Sequence, residues 1–268
     1  MIDLSRKVTV PSLSDFKRAG VPIAMLTAYD ASFARQIDAA GVDCMLVGDS
    51  LGNVIQGQGS TLPVTVNDML YHTTAVARGI DRALLLADLP FMSYYNRSTA
   101  MESAAVLMRA GAAMVKLEGG APMIETVRAL VEQGIPVCGH LGLTPQHVHR
   151  LGGYRVQGRE QAMAEALIDD AKALERAGAG MLVAECIPNA VASKLSETLS
   201  IPVIGIGAGS DVDGQVLVSY DLLGISSGPW PKFVRNFLSD AADVPAALTA
   251  YVDAVRQRKF PAQHESYQ

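Results

Sequence analysis

Five short apolar runs in this chain each end in a side chain that can bind a metal or move a proton. They are Cys44-Met45-Leu46-Val47-Gly48-Asp49-Ser50, Leu84 to Asp88, Met114 to Glu118 (which also carries Lys116), Val137 to His140, and Leu182 to Glu185. Each run is strand-sized and apolar throughout, the pattern of a parallel strand covered by helices on both faces. Helical phrases separate the runs and stop at Gly41, Gly79, Gly111 and Gly134. Ile23 to Tyr29, Val203 to Gly209 and Gln215 to Val218 bring the strands to eight. Ala-Gly phrases recur at the helix exits near residues 40, 110 and 177, as repeated βα units would require. The pattern predicts a (β/α)8 TIM barrel over residues 1–268 as a single domain. A short helix at residues 11–19 precedes it, and closing helices with a polar tail at Gln263 to Gln268 follow Pro231. An open doubly wound sheet is the competing architecture. Both place ligands at the C-terminal ends of the strands.

Composition narrows the partners. The net charge is −5 and the pI about 5.5. A broad surface for nucleic acid or anionic membrane needs clustered Lys and Arg, so neither partner is expected. No apolar run approaches a membrane span, and Met1 to Lys7 lacks the apolar core of a secretory signal; the expected location is the cytoplasm. Three cysteines, Cys44, Cys138 and Cys186, sit in or beside strand-like runs and read as buried reduced thiols. Gly205-x-Gly207-x-Gly209 has the wrong spacing for a dinucleotide fingerprint and reads as tight barrel packing. His147-Val148-His149 has no third ligand nearby in sequence and is rejected as a metal pair.

A barrel brings its strand ends to one mouth. Asp49, Asp88 and Glu118 come from consecutive strands, and three carboxylates in one pocket repel unless a cation joins them. Hard oxygen ligands with open positions favour Mg²⁺. Any one of these acids alone would read as a helix cap; three in succession favour a metal site. Lys116 and Glu118 share a strand face. Lys116 is a candidate anchor for a substrate carboxylate or a partner for one of the acids. Schiff-base chemistry is disfavoured, because neighbouring carboxylates keep the amine protonated. Glu185, between apolar neighbours on strand six, is a candidate general base whose pKa such surroundings would raise. His140 is a candidate for holding a substrate oxygen.

With these residues in view, the chain resembles the ketopantoate hydroxymethyltransferase family over nearly its whole length. The matching phrases include Leu-Thr-Ala-Tyr-Asp (26–30), Val-Gly-Asp-Ser-Leu-Gly (47–52), Leu-Ala-Asp-Leu-Pro-Phe-Met (86–92) and Val-Lys-Leu-Glu-Gly-Gly (115–120). Gly-His-Leu-Gly-Leu-Thr-Pro-Gln (139–146), Gly-Gly-Tyr-Arg-Val-Gln-Gly (152–158) and Ala-Glu-Cys-Ile-Pro (184–188) continue the match. The resemblance implies a barrel of the phosphoenolpyruvate/pyruvate type. It also implies hydroxymethyl transfer from 5,10-methylenetetrahydrofolate to 3-methyl-2-oxobutanoate with Mg²⁺, and a homodecamer. It assigns metal-associated acids to Asp49, Asp88 and Glu118, keto-acid contacts to Asp49, Ser50, Asp88 and Lys116, and the proton acceptor to Glu185. Gly59 departs from the family pattern, which places an acid immediately before Ser60-Thr61-Leu62-Pro63. The rival readings are a Mg²⁺-dependent 2-oxo-acid lyase or aldolase and a keto-acid-binding barrel without catalysis.

Overall fold

The computed structural model describes residues 3–268. Eight parallel strands close into a barrel in the order β1 to β8. They are β1 Ile23–Thr27, β2 Cys44–Val47, β3 Leu84–Asp88, β4 Met114–Glu118, β5 Val137–Gly142, β6 Met181–Glu185, β7 Val203–Ile206 and β8 Gly214–Leu217. Helices α1 Val10–Arg18, α2 Ala31–Ala39, α3 Leu51–Val54, α4 Val66–Ala77, α5 Arg97–Arg109 and α6 Ile124–Glu132 accompany the first half. Helices α7 Val148–Leu151, α8 Gln161–Arg176, α9 Asn189–Thr198, α10 Ser219–Leu222 and α11 Val244–Arg256 follow. β1 pairs with β8, which excludes the open sheet.

Strand parity sorts the residues into two cores. Outward positions such as Leu26, Met45, Leu85, Val115 and Leu182 pack beneath the helices. Inward positions such as Met25, Leu46, Leu86, Met114, Cys138, Val183 and Ile204 fill the barrel itself. Helix α1 closes the N-terminal end of that inner core. Its Leu13 and Phe16 are buried against the barrel interior. Thr9 caps the helix through a reciprocal pair with Ser12, satisfying two otherwise orphaned N–H groups. Truncating a buried phenylalanine costs about 3–5 kcal/mol, so Phe16 is a substantial part of this seal.

Thr65 caps α4, because Thr65 and Asp68 form a capping box. Asn96 caps α5, accepting from the Thr99 N–H. After β5 a 3-10 turn at Pro145–His147 runs into α7. The stretch after Pro231 contains one long helix, α11, rather than several. Its polar tail is packed: Glu265 is buried and pairs with Arg235 at 2.6 Å, and Lys232 donates to the Ser266 carbonyl. The three cysteines are free and buried, as expected. Gly207 supports the packing reading of the glycine triplet, since a Cβ there would lie 2.6 Å from the Phe233 ring.

Candidate active site at the barrel mouth

The inward positions change chemistry as the strands rise. On β3 the inward series is Leu84, Leu86, Asp88; on β4 it is Met114, Lys116, Glu118; on β6 it is Met181, Val183, Glu185. Inward positions are therefore apolar at the strand starts and polar at the C-terminal ends, with β4 contributing two polar residues. Register then sets the pairs. Asp88 lies opposite Lys116, and Glu118 lies opposite His140. The Lys116 ammonium donates to Asp88 Oδ1 at 2.5 Å, with both side chains buried. Asp49 follows β2 and points its backbone N–H at Asp88 Oδ2, 3.0 Å away. Ser50 Oγ lies 2.8 Å from the Tyr29 hydroxyl. Tyr29 is buried and holds Ser50 from behind.

Gln146 was not singled out by the sequence, yet it joins the site together. It is buried, and its Nε2 donates to Asp49 Oδ2 at 2.8 Å and to the Leu89 carbonyl at 2.9 Å. Its backbone N–H donates to Glu118 Oε2 at 2.9 Å, and its Oε1 accepts from the Tyr94 hydroxyl. One residue of the β5 loop thus spans two of the three metal-candidate acids, Asp49 through its side chain and Glu118 through its backbone N–H. Its only sequence signal is the Pro145-Gln146 phrase after β5, which carries no titratable group.

His140 stands between Glu118 and Glu185. Its Nδ1 is 3.5 Å from Glu118 Oε1 and its Nε2 is 3.1 Å from Glu185 Oε2. Neither contact is directed as a hydrogen bond, so both buried ring nitrogens remain open to a better-aligned oxygen. Glu185 therefore faces an imidazole, not the wholly apolar surroundings its sequence neighbours imply. Its side chain is 15% exposed, the most open of this group.

Electrostatics follow from the imbalance of charge. Burial, then Asp88 and Glu118, push the Asp49 carboxyl well above the usual carboxylate range. Burial opposes ionisation of Glu118 as well, but His140, Lys116 and the Gln146 N–H outweigh it and lower its pKa. Burial and Lys116 press the His140 pKa down; Glu118 and Glu185 prevail and raise it to about 9. Burial also works against the Lys116 charge, yet Asp88, Glu118 and Asp49 hold its pKa above the ordinary range. A lysine kept charged in this way is a poor nucleophile, which disfavours Schiff-base chemistry. Burial, then Glu185, push the Cys186 thiol up, so that cysteine is not a ready thiolate.

Among the described residues, no three His, Cys, Asp or Glu side chains converge closely enough to hold an ion together. Each candidate acid is instead turned toward a protein donor: Lys116, Gln146 or a backbone N–H. The donor set still fits a hard cation. Its groups are carboxylate oxygens, and three buried acids stand here with one lysine, an imbalance that a divalent ion would neutralise.

All seven sequence-selected residues, Asp49, Ser50, Asp88, Lys116, Glu118, His140 and Glu185, line one cavity of about 860 Å³. Gly59 also lines it, at an exposed lip where an added Cβ would meet nothing within 4 Å. A side chain at this position would therefore meet no obstruction at its Cβ. His147 accepts no role here: its Nδ1 is 3.1 Å from Thr144 Oγ1, and His149 is exposed.

A closed eight-stranded parallel barrel with its acids at the C-terminal mouth places this chain in a broad class of (β/α)8 enzymes. Solved structures share the fold. A putative phosphonomutase from Burkholderia cenocepacia J2315 superposes with a TM-score of 0.62 at 20% identity, covering 80% of this chain and 93% of that one. A 2,3-dimethylmalate lyase, a member of the PEP mutase/isocitrate lyase superfamily, gives 0.57 at 18% identity over 84% and 83%. The chain belongs to the ketopantoate hydroxymethyltransferase family, whose sequence model matches residues 7–263. It is 56% identical over 261 residues to the 3-methyl-2-oxobutanoate hydroxymethyltransferase of Shewanella loihica, covering 97% of this chain and 99% of that protein. It is 53% identical over 260 residues to the protein of the same name from Marinobacter nauticus, with 97% and 98% covered. No helix among the described residues is long and apolar enough to cross a membrane.

Proposed function

We propose that this chain is a hydroxymethyltransferase that moves a one-carbon unit from 5,10-methylenetetrahydrofolate to 3-methyl-2-oxobutanoate, giving 2-dehydropantoate (ketopantoate) and tetrahydrofolate for pantothenate synthesis. The observation that carries this reading is the division of the mouth. Glu185, the most open acid, is separated by His140 from a buried set formed by Asp49, Asp88, Lys116 and Glu118.

Asp49, Asp88 and Glu118 would hold Mg²⁺, which when bound supplies Lewis acidity for the ketone and carboxylate oxygens of the keto acid. Lys116, fixed on Asp88 and kept charged, pairs with the substrate carboxylate. Ser50, held by Tyr29, donates to the same end of the substrate. The open nitrogens of His140 offer a proton to a substrate oxygen. Glu185 takes the proton from C3, and the C3–H electron pair moves into the enolate. C3 then bonds to the one-carbon unit as its bond to one folate nitrogen breaks and that nitrogen takes a proton; water then bonds through oxygen to the same carbon as the bond to the second folate nitrogen breaks, and a water proton passes to that nitrogen, releasing tetrahydrofolate. Gln146 holds Asp49 and Glu118 in place during these steps.

The test is exchange of the C3 hydrogen of 3-methyl-2-oxobutanoate in heavy water, with Mg²⁺ and no folate. Glu185→Gln should slow it by about a hundredfold or more, the usual scale of general-base catalysis. Exchange at the wild-type rate removes Glu185 as the base. In the same protein, an unchanged Mg²⁺ titration of Asp88→Ala would remove Asp88 from the metal site. A folate-independent aldol product would favour the lyase reading. Tight keto-acid binding without any exchange would favour a barrel without catalysis. A cytoplasmic location and homodecameric assembly complete the reading on family resemblance; light scattering of the purified protein tests the second.

A further inference from the structure

Glu185 is steered by its backbone. Its contact with His140 is not directed as a hydrogen bond, so the aim of the carboxylate depends on the chain that carries it. That chain turns sharply. Cys186 adopts a φ of 48°, a left-handed conformation that a residue with a Cβ rarely takes unless its surroundings impose it. The Leu143 N–H donates to the Glu185 carbonyl at 2.8 Å, the Cys186 N–H to the Ile206 carbonyl at 2.8 Å, and the Gln157 N–H to the Cys186 carbonyl at 2.9 Å. These bonds hold the near side of the corner. Helix α9 begins on its far side, at Asn189.

The start of α9 has no side-chain cap. Pro188 stands at the N-cap position, and its ring offers no acceptor. The first N–H groups of a helix have no partner within it. The Asn189 N–H finds one far along the chain: it donates to the Tyr267 carbonyl at 3.0 Å. The Tyr267 ring lines the cavity that Glu185 faces.

The segment that supplies this carbonyl is itself anchored. Buried Glu265 takes a forked pair from Arg235, Nε to Oε1 at 2.8 Å and Nη2 to Oε2 at 2.6 Å. Its Oε2 also accepts from the Ala262 N–H at 2.6 Å. The Arg235 guanidinium lies 5.3 Å from the Phe237 ring centroid and 5.1 Å from that of Phe260, which restricts its plane. Ser266 is buried as well. Its carbonyl accepts from Lys232, and its hydroxyl donates to the Ala262 carbonyl at 3.0 Å. A stretch whose composition is that of a loose polar tail is thus seated firmly against the mouth.

We propose that residues 262–267 form a clasp that positions the base: Glu265, seated on Arg235, holds the Tyr267 carbonyl over the first N–H of α9 and so fixes the corner from which Glu185 enters the mouth. The proposal rests on the role of Glu185 in the proposed function. Glu265 acts through Tyr267 and Asn189, so it is a positioning residue. Misplacing a reacting group by about 1 Å costs about a hundredfold in rate. The corner therefore governs turnover, while keto-acid binding belongs to Lys116 and Ser50, on other strands.

Asn189→Pro isolates the contact. Proline is favoured at the first helical position and lacks the N–H, and Pro188 already has the extended ψ of 142° that a residue before proline adopts. The helix therefore stays and the bond to Tyr267 goes. Asn189→Ala is the control: it loses the side-chain donation to Asp211 but keeps the N–H. In C3 hydrogen exchange of 3-methyl-2-oxobutanoate with Mg²⁺, Asn189→Pro should lower kcat about tenfold with KM changed less than about twofold. Asn189→Ala should match wild type. Glu265→Gln should also lower kcat, and the double variant with Asn189→Pro should be no slower than the slower single, because both act through one contact. Equal exchange in Asn189→Pro and Asn189→Ala, a parallel rise in KM, or multiplied losses in the double variant overturns the clasp. Amide deuteration of the full chain reads the clasp without turnover: Glu265→Gln should speed labelling of the Asn189 amide by about tenfold or more, and unchanged protection overturns it. A wild type that shows no C3 exchange, while its Asn189 amide responds to Glu265→Gln, overturns instead the proposed role of Glu185.

Discussion

The barrel buries charge at both ends, and the two ends treat it in opposite ways. At the N-terminal end, Asp43 is fully buried between two arginines. Arg256 approaches it to 2.6 Å and Arg82 to 3.2 Å. The Ala24 N–H adds a hydrogen bond, and the spare donors of Arg82 reach the Gly41 and Val42 carbonyls. Arg256 also donates to the Pro22 carbonyl. At the C-terminal mouth, Asp49, Asp88, Glu118 and Glu185 share one lysine and one histidine. The first cluster has cations in excess and its polar groups partnered. The second has acids in excess and leaves both His140 nitrogens open. Burial alone does not mark a functional site; charge left uncompensated does.

The largest effect that would break this comparison is expected at the closed end. Asp43→Ala leaves Arg82 and Arg256 partly buried without their acid and should destabilise the fold by about 3–5 kcal/mol, measured by urea unfolding. A loss under 1 kcal/mol would make this cluster as dispensable as an exposed pair. At the mouth, Mg²⁺ should raise the melting temperature, by an equivalent of about 2.7 kcal/mol at a concentration a hundredfold above its Kd. A chelator should reverse the rise, and Asp88→Asn should abolish it.

Gln146→Leu should cost about 1–3 kcal/mol, because the Leu89 carbonyl and Tyr94 hydroxyl lose a buried partner. It should also weaken the Mg²⁺-induced rise in melting temperature, since Asp49 loses its donor. A variant with normal stability and a normal Mg²⁺ response would show that the bridge is incidental. A further expected effect is the pH response of the metal-free protein. His140 titrates near 9 when folded, above its ordinary value of 6.5. Its protonation therefore stabilises the fold fully below about 6.5, and that contribution disappears as pH rises through about 9. Thermal melts across this window should show the loss in wild type and a flatter profile in His140→Gln.

The polar layer could be read before the fold because strands impose a period of two. Leu86 and Asp88 must share a face, as must Lys116 and Glu118, once the runs are taken as strands. Closure of the barrel then brings those faces together. Gln146 and Tyr94 could not be found in that way. Both lie on loops after strands, where no periodicity sets direction, and neither is charged at neutral pH. The helix starts at Thr65 and Asn96 are not set by periodicity either. Several neighbouring residues have side chains able to cap, and only the backbone path selects among them. The polar tail was misjudged because composition does not reveal that Arg235 waits for Glu265.

The register of β4 has a consequence for how this site is stored in the sequence. Its information lies in the parity of the strand as much as in the identity of its residues. Removing one residue from within β4 would turn Lys116 and Glu118 toward the helices and bring an apolar neighbour into the mouth, while barely altering composition. Removing two would keep the face and lower the chemistry by one layer, away from Asp88 and His140. The barrel thus reads its strands as a binary code, in which a frame error of one is worse than a frame error of two.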